Sequence, residues 1–464
     1  MNGWMRRKPV VAERQDEKMV ASLSWPHLIA LGVGAIVGTG ILTLIGVGAD
    51  RAGPAVLISF AIAGAICACA ALAYAELAAM LPAAGSAYSY SYMVLGEAIA
   101  WVVGWSLILE YSLVVSAVAV GWSGYASALL TGIGFPVELT QGPELGGVAN
   151  LPAVFIIAVV AGLLMLGTHE SARVNMALVV LKMVTLAAFV AVALPYFDMA
   201  HLEPFMPYGF GKTMGPDHVE RGVMAAAAII FFAFYGFDAI STAAEEVKRP
   251  ERDLAIGIVG SMLICTLVYV LVAAAAVGAL PFARFADSPE PLALILRELG
   301  RPSVARVIAI AAVIALPTVI LAFLYGQSRI FLVMARDGFL PAGLARLSGR
   351  GTPVRITVMT AILVAVLAGV LPIGEIAALA NAGTLIAFIA VGTCLMVMRF
   401  RAPDMHRPFR APLGLWIGAA TVAGCLYLFA SLPAKTQLWC LFWNTAGLVL
   451  YALYGHRRSR LHRS

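Results

Sequence analysis

Charge is scarce in this 464-residue sequence. Only 12% of the residues are Asp, Glu, Lys or Arg, whereas 61% are hydrophobic. A soluble domain carries about 25% charged residues. Apolar runs of about 20 residues, the length needed to cross the hydrocarbon core, recur along the chain. The composition excludes an ordinary soluble domain and predicts an all-α polytopic protein embedded in the lipid bilayer.

Cysteine and histidine are also few. The six cysteines lie in apolar runs, with no C-x-x-C pair and no histidine nearby, so we expect small buried hydrophobes, no disulfide framework, no metal site and no cofactor. The seven histidines lie in loops or near the ends of apolar runs, which argues against an intramembrane enzyme. No repeated filter segment or charged ring of a channel is visible.

The apolar runs predict twelve transmembrane spans. The first 24 residues are polar and lack the apolar stretch of a signal peptide. The predicted spans cover residues 27–49, 54–80, 97–130, 151–168, 173–195, 222–246, 253–280, 304–335, 354–371, 375–398, 412–431 and 437–455.

Positive charge is distributed unevenly between the two sides. With the amino terminus inside, 22 of the 31 lysines and arginines lie in inner segments. The positive-inside rule therefore predicts that both termini are cytoplasmic. The basic tail is better explained by this rule than by binding of nucleic acid. Nothing in the sequence indicates an oligomeric state.

Two predicted spans contain residues that break helices. The first includes Ile36 and the cluster Gly38-Thr39-Gly40, and the sixth includes Phe234-Tyr235-Gly236-Phe237-Asp238. Unwound backbone is tolerated inside a bilayer only where it lines a cavity. Corresponding breaks in two halves of a chain mark the binding site of many transporters.

The positions of the breaks predict the domain plan. Five spans per repeat is an odd number, so the second repeat enters the membrane from the opposite side. We therefore expect a 5+5 inverted repeat with discontinuous first and sixth spans and two additional C-terminal helices. The predicted units are a cytoplasmic segment (1–24), the two repeats (25–200 and 201–400), spans eleven and twelve (401–455) and a cytoplasmic tail (456–464).

The chemistry expected at the breaks suits a zwitterion. A helix restarting near Ile41 would present free N–H groups to a carboxylate. A half-helix ending near Phe234 would present carbonyls to an ammonium group, and Asp238 would cap the helix that follows. An L-amino acid has this arrangement of charges. The alternatives are close helix packing through Gly34 and Gly38 and ordinary packing of the aromatic side chains.

Lys182 lies deep in the fifth predicted span. It is nine residues from Arg173 and thirteen from Pro195, so its stem reaches neither interface easily. A charged lysine at this depth costs about 2.5–3.5 kcal/mol on insertion scales. Three roles remain open: a proton carrier, a fixed cation in place of a sodium ion, or a snorkelling side chain.

Several other polar residues are candidates for supporting roles. Glu110, in the middle of span three, is expected to pair with Lys182 or with unwound backbone, and a purely structural role is equally open. Thr318 follows Pro317 and is expected to help satisfy the carbonyl that the proline frees. Glu76, Glu245 and Glu246 are candidates for a cytoplasmic gate, or for a solvated helix end in the case of the last two.

The motifs, taken together and in order, resemble those of a known family. The chain is similar to amino acid permeases of the amino acid–polyamine–organocation superfamily, specifically the cationic amino acid transporter branch and its bacterial members. The motifs include Tyr74-Ala75-Glu76-Leu77, Met334-Ala335-Arg336-Asp337-Gly338 and Arg407-Pro408-Phe409-Arg410, with further matches at 38–41, 82–88, 167–175 leading to Lys182, 234–238, 244–250 and 326–329.

This resemblance implies secondary active transport of an L-amino acid by alternating access in the cell membrane. It implies that Lys182 occupies the region where sodium sits in related transporters, which favours protons over sodium as the coupling ion. Leu42 stands where many members have an aromatic residue. A cationic side chain would need an acidic pocket, for which Glu110 is the visible candidate. We therefore expect neutral or small amino acids, with cationic transport or exchange as the alternative.

Overall fold

The computed structural model describes residues 6–8, 23–81, 83, 85–165, 172–215, 217–244, 247–341, 343–344 and 354–459. Glu245, Glu246 and residues 167–171 of one sequence motif lie outside these ranges. The helices are α1 Trp25–Ile36, α2 Thr39–Leu42, α3 Leu44–Ala52, α4 Val56–Met80, α5 Ser86–Val94, α6 Glu97–Leu130, α7 Leu151–Met165, α8 Ala172–Ala193, α9 Val223–Ile230, α10 Asp238–Thr242, α11 Pro250–Ala279, α12 Pro291–Glu298, α13 Pro302–Ala315, α14 Pro317–Arg336, α15 Val354–Val370, α16 Ile373–Arg401, α17 Gly414–Ser431, α18 Ala434–Leu450 and α19 His456–Arg458.

Many of these helices are long and apolar enough to cross a membrane. Among the described residues, nine helical segments meet this criterion, and three shorter apolar helices accompany them: Trp25–Ile36, Leu151–Met165 and Val354–Val370. Helices that are apolar all round belong either in a large core or in lipid. The prediction of a polytopic helical membrane protein is confirmed at this level.

The helices pack into one bundle around α6 and α16. Helix α6 lies against α16 and α14, and α4 lies against α11, which also packs on α1. Side chains on the outside of the bundle are apolar: Val307 is 65% exposed and Phe442 is 64% exposed. Such a surface suits contact with lipid rather than water.

The segment before α9 forms an ordered cap. Strands β1 (Thr213–Met214) and β2 (Glu220–Arg221) pair antiparallel. Arg221 forms ion pairs with Asp217 and with Asp50 near the end of α3. The guanidinium group of Arg221 lowers the pKa of Asp217 to about 2. These contacts connect the end of α3 to the start of α9. They therefore join the helix that follows the first break to the helix that precedes the second.

Candidate functional site

The first helix break lies at Val37 and Gly38. Helix α1 ends at Ile36, Val37 is extended, and α2 begins at Thr39. The predicted restart near Ile41 was two residues too late. Because a helix leaves its first N–H groups without intrahelical acceptors, the first turn of α2 presents donors beside the break.

The second break covers Phe234 to Phe237. Helix α9 ends at Ile230, a 3₁₀ turn follows, and α10 begins at Asp238. Gly236 has φ = +120° and packs against the backbone of Ala35, where a Cβ would lie 3.1 Å from the Ala35 carbonyl carbon. Only glycine adopts this conformation readily, and it brings the two breaks into direct contact.

Asp238 does not cap α10 as predicted. It is the first helical residue, and its Oδ1 accepts a hydrogen bond of 3.1 Å from the N–H of Gly236, two residues earlier in the chain. Its Oδ2 accepts from the Tyr111 hydroxyl at 2.9 Å. The carboxyl group therefore stabilises the unwound segment and connects it to α6.

Side chains from other helices satisfy the carbonyls that the breaks leave free. Lys182 Nζ donates to Gly34 O at 2.8 Å, and the Tyr269 hydroxyl donates to Ile36 O at 2.7 Å. Asn381 Nδ2 donates to two carbonyls of α9, at 2.7 and 3.0 Å. A buried unpaired carbonyl costs about 1–3 kcal/mol, so these contacts stabilise the broken geometry.

A small cavity lies between the two breaks. Water could occupy a volume of about 10 Å³ in it, which is roughly enough for one water molecule. Backbone at the end of α1 and the start of α2 forms one wall, and apolar side chains form most of the rest. The lining residues are Ala35, Ile36, Gly38, Thr39, Gly40, Val114, Val118, Phe232, Tyr235, Val319 and Phe323.

The predicted binding residues divide into two groups. Five of them line the cavity, namely Ile36, Gly38, Thr39, Gly40 and Tyr235. The other four, Phe234, Gly236, Phe237 and Asp238, are not among its lining residues. The ring of Phe234 packs edge-on against Phe60 and Tyr269, and Phe237 packs against Tyr74 and Phe388. For these two aromatic residues, packing describes their position better than a gate does.

Four apolar residues that line the cavity were missed by sequence reasoning. Val114 and Val118 come from α6, and Val319 and Phe323 come from α14. They sit in continuous apolar runs, where nothing in the sequence separates a pocket-lining valine from a lipid-facing one. Asn381, the buried amide that binds α9, was also missed, although a lone polar residue in an apolar span is a usable signal.

Lys182 and Glu110 do not pair as predicted. Lys182 is 3% exposed and binds the end of α1. Glu110 is 1% exposed, and neither of its carboxylate oxygens has a hydrogen-bond partner among the described residues. The two residues lie on different helices, and their distance in space was not readable from the sequence.

Thr318 serves a different carbonyl from the one expected. Its hydroxyl donates to Ala315 O at 2.7 Å. Pro317 lacks the N–H that would bind Val313 O, and the Trp122 indole donates to that carbonyl at 2.8 Å instead. The prediction that the freed carbonyl is satisfied was right in principle, but the donor is an indole of α6.

Glu76 is held in a buried ion-pair network. Arg399 donates to both of its carboxylate oxygens, at 2.9 and 2.5 Å. Arg407 Nε and Ala411 N–H add bonds at 3.2 and 2.8 Å. This network connects the end of α4 to the end of α16 and to the segment that follows it, and it gives Arg407 of the basic motif a structural role.

Comparison with known proteins places these features in a family. The model of the amino acid permease family matches residues 23–453. A branched-chain amino acid permease, BcaP of Bacillus subtilis (strain 168), is 43% identical over 98% of this chain and 97% of its own length. The methylthioribose transporter of the same organism is 38% identical over the whole of both chains. Cationic amino acid transporter 4, vacuolar, of Arabidopsis thaliana is 36% identical over 87% of this chain and 68% of its own length. The chain therefore belongs to the amino acid permease family, as its motifs suggested.

Proposed function

We propose that this protein imports L-amino acids with apolar side chains, branched-chain amino acids first, in symport with protons. The observation that carries the proposal is the cavity between the two breaks, which joins free backbone donors to an apolar pocket. The N–H groups of α2 suit the substrate carboxylate. The carbonyl groups of the 3₁₀ turn before Phe234, where this half-helix ends, suit the ammonium group of the substrate.

The lining of the pocket favours an apolar side chain. Val114, Val118, Val319 and Phe323 offer no charged or hydrogen-bonding group. Burying a leucine side chain among them is favourable by about 1.5–3 kcal/mol. An unpaired lysine or arginine side chain would lose its hydration without compensation. Glu110, the acid considered for cationic substrates, is not part of the lining. We therefore narrow the expected substrates from neutral amino acids in general to branched-chain amino acids, the substrates in the name of the BcaP relative.

The size of the cavity supports alternating access. A space open to about one water cannot hold leucine, so the bundle has to rearrange for binding.

The elements can be matched as two inverted five-span repeats followed by α17 and α18. In this match, α1–α3 corresponds to α9–α10, α4 to α11, α6 to α13–α14, α7 to α15 and α8 to α16.

Proton coupling is assigned to Lys182 through its bond to Gly34. A charged ammonium group holds the end of α1, and a neutral amine would hold it less tightly. Gain or loss of one proton would therefore change how firmly the first break is fixed. An ammonium group at this place also competes with a sodium ion.

With the excess of basic residues in inner segments, we place the protein in the cell membrane with both termini cytoplasmic.

Uptake by proteoliposomes tests the proposal. Labelled leucine is supplied with an inward proton gradient, with and without sodium, and the other nineteen amino acids and methylthioribose are added as competitors. We expect saturable, sodium-independent accumulation, with isoleucine and valine as the strongest competitors. Stronger competition by lysine and arginine would support the cationic alternative. A non-saturating ionic current would indicate a channel, and exchange without accumulation would indicate an exchanger.

A further inference from the structure

Two packed helices supply the apolar side of the cavity. Helix α6 contributes Val114 and Val118, and α14 contributes Val319 and Phe323. Both α13 and α14 pack against α6. All four side chains are at most 2% exposed. The separation of the two helices therefore determines how large a substrate side chain can fit between them.

A proline interrupts the second of these helices beside the pocket. Pro317 has no N–H, so the carbonyl of Val313, four residues earlier, lacks its helical donor. The helix is divided at Leu316, between α13 and α14. Helices commonly kink at a proline, and the direction of the segment after it decides where Val319 and Phe323 lie. The wall of the pocket thus begins where the helix has lost a hydrogen bond.

A tryptophan of α6 supplies the missing donor. Trp122 Nε1 donates to Val313 O at 2.8 Å, and the Trp122 side chain is largely buried. Trp122 lies four residues beyond Val118, and residues four apart share one face of a helix. Because a carbonyl in apolar surroundings has no water to turn to, this bond is costly to break. It therefore holds the interrupted helix against α6 at one side of the pocket.

A second link between the same helices lies at the other side of the pocket. Gln327 Nε2 donates to Ser112 Oγ at 2.5 Å and to Ile108 O at 3.4 Å. Along α6 these contacts come in the reverse of their order along α13 and α14, as antiparallel helices require. Ser112 and Trp122 are separated by about 15 Å of helix, and the lining residues of α6 lie within this interval.

We propose that Trp122 and Gln327 are positioning residues that set the separation of α6 and α14 across the side-chain pocket, and thereby the largest amino acid side chain that the protein accepts. Neither is among the lining residues, so each acts through the wall that it holds in place. The inference rests on the proposed import of apolar amino acids and adds the determinant of their size. Without the Trp122 bond, the segment after Pro317 is held less closely to α6 and the pocket widens.

Competition for binding of labelled leucine to the purified full-length protein in lipid tests this role. Trp122→Phe retains an aromatic ring but has no N–H to donate. We expect the preference for leucine over phenylalanine to fall by about tenfold, the lower limit of what one methylene group contributes in an apolar pocket. Gln327→Leu should shift the preference in the same direction. A ratio of two affinities does not depend on the amount of folded protein, so a loss of stability alone does not change it.

The matched control is Trp105→Phe. Trp105 lies on the same helix, and its indole also donates to a carbonyl of another helix, Trp443 O, at 2.9 Å. It is not among the lining residues and does not contact α13 or α14 through this bond. We expect its preference to stay within about twofold of the parent, because sites that share no partner act independently.

Combining Trp122→Phe with Pro317→Ala separates positioning from simple pairing of the carbonyl. Alanine at position 317 restores an N–H that can donate to Val313 O within the helix. The melting temperature lost in Trp122→Phe should be regained in the double variant. The altered preference should remain, because α13 is still not bound to α6. Recovery of the parent preference together with stability would overturn the positioning role of Trp122.

Failure of this inference can be distinguished from failure of the proposed function. If the parent prefers leucine to phenylalanine and Trp122→Phe has the same preference, the positioning role is wrong and the import of apolar amino acids stands. An unchanged preference in Gln327→Leu alone would remove Gln327 from the proposal. If the parent binds lysine or arginine more tightly than leucine, the proposed function is wrong and this inference falls with it.

Discussion

The ammonium group of Lys182 lies 2.8 Å from the carbonyl oxygen of Gly34, three residues before the first helix break. In an unbroken helix, that carbonyl would accept from the N–H of Gly38, which lies within the break. Lys182 thus replaces a lost backbone donor. Sequence analysis selected Lys182 because of its depth in an apolar span. In the structure its ammonium group binds the end of α1, so its charge bears on the geometry of the first break.

Lys182→Ala should abolish proton-driven accumulation of leucine. The change removes the titratable group and leaves Gly34 O without its observed donor, at a cost of about 1–3 kcal/mol. Uptake driven by a pH gradient measures the first effect, and thermal unfolding in detergent measures the second. Lys182→Arg is the matched variant, because it retains the charge and a donor but does not deprotonate at physiological pH. Full accumulation in Lys182→Ala would exclude this lysine as the coupling group.

Gly40→Ala should disrupt contact between the two broken helices. A Cβ at Gly40 would lie 2.4 Å from Ala233 Cα, which is backbone and cannot move aside easily. Overpacking of this kind costs about 1–3 kcal/mol, so the apparent melting temperature should fall and leucine uptake should be largely lost. Gly162→Ala in α7 is the control, because no atom lies within 4 Å of its added Cβ. If both variants behave like the parent, the close approach of the helices is not needed for the fold or for transport.

The places where the chain breaks could be predicted, because glycine clusters and unusual polar residues stand out inside apolar runs. Gly38 and Gly236 both lie in the unwound segments. The partners of these breaks could not be predicted, because Tyr269 and Asn381 reach them from helices distant in the sequence. Lys182 was one of the partners expected for Glu110, and that pair does not form for the same reason. A buried acid needs a partner, but the sequence does not show which helix packs beside it.

The apolar pocket gives a prediction about substrate size. Val319→Ala should weaken leucine binding and improve binding of phenylalanine, because the change removes two carbon atoms from the wall beside Gly38. A change of about one methylene in such a pocket alters affinity by about 10–200-fold at most, so a shift in preference is expected without loss of transport. Val307→Ala, on the lipid-facing side of α13, is the matched control. Competition by unlabelled amino acids measures the shift, and an unaltered order of competitors would remove Val319 from the pocket.

The network around Glu76 gives a prediction about stability. Arg399→Met removes the guanidinium group that binds both oxygens of a fully buried carboxylate. Breaking one side of a buried ion pair costs about 3–5 kcal/mol when the remaining charge is left without a partner. Arg407 and the Ala411 N–H still bind Glu76 in this variant, so we expect a cost towards the lower end of that range. We therefore expect a sharp fall in melting temperature and in the yield of folded protein. Arg410→Met is the matched control, since Arg410 belongs to the same basic motif as Arg407 but is exposed. If Arg399→Met remains as stable as the parent but transports leucine faster, Glu76 acts as a gate that opens during transport, as first expected from the sequence, and not as a fixed anchor.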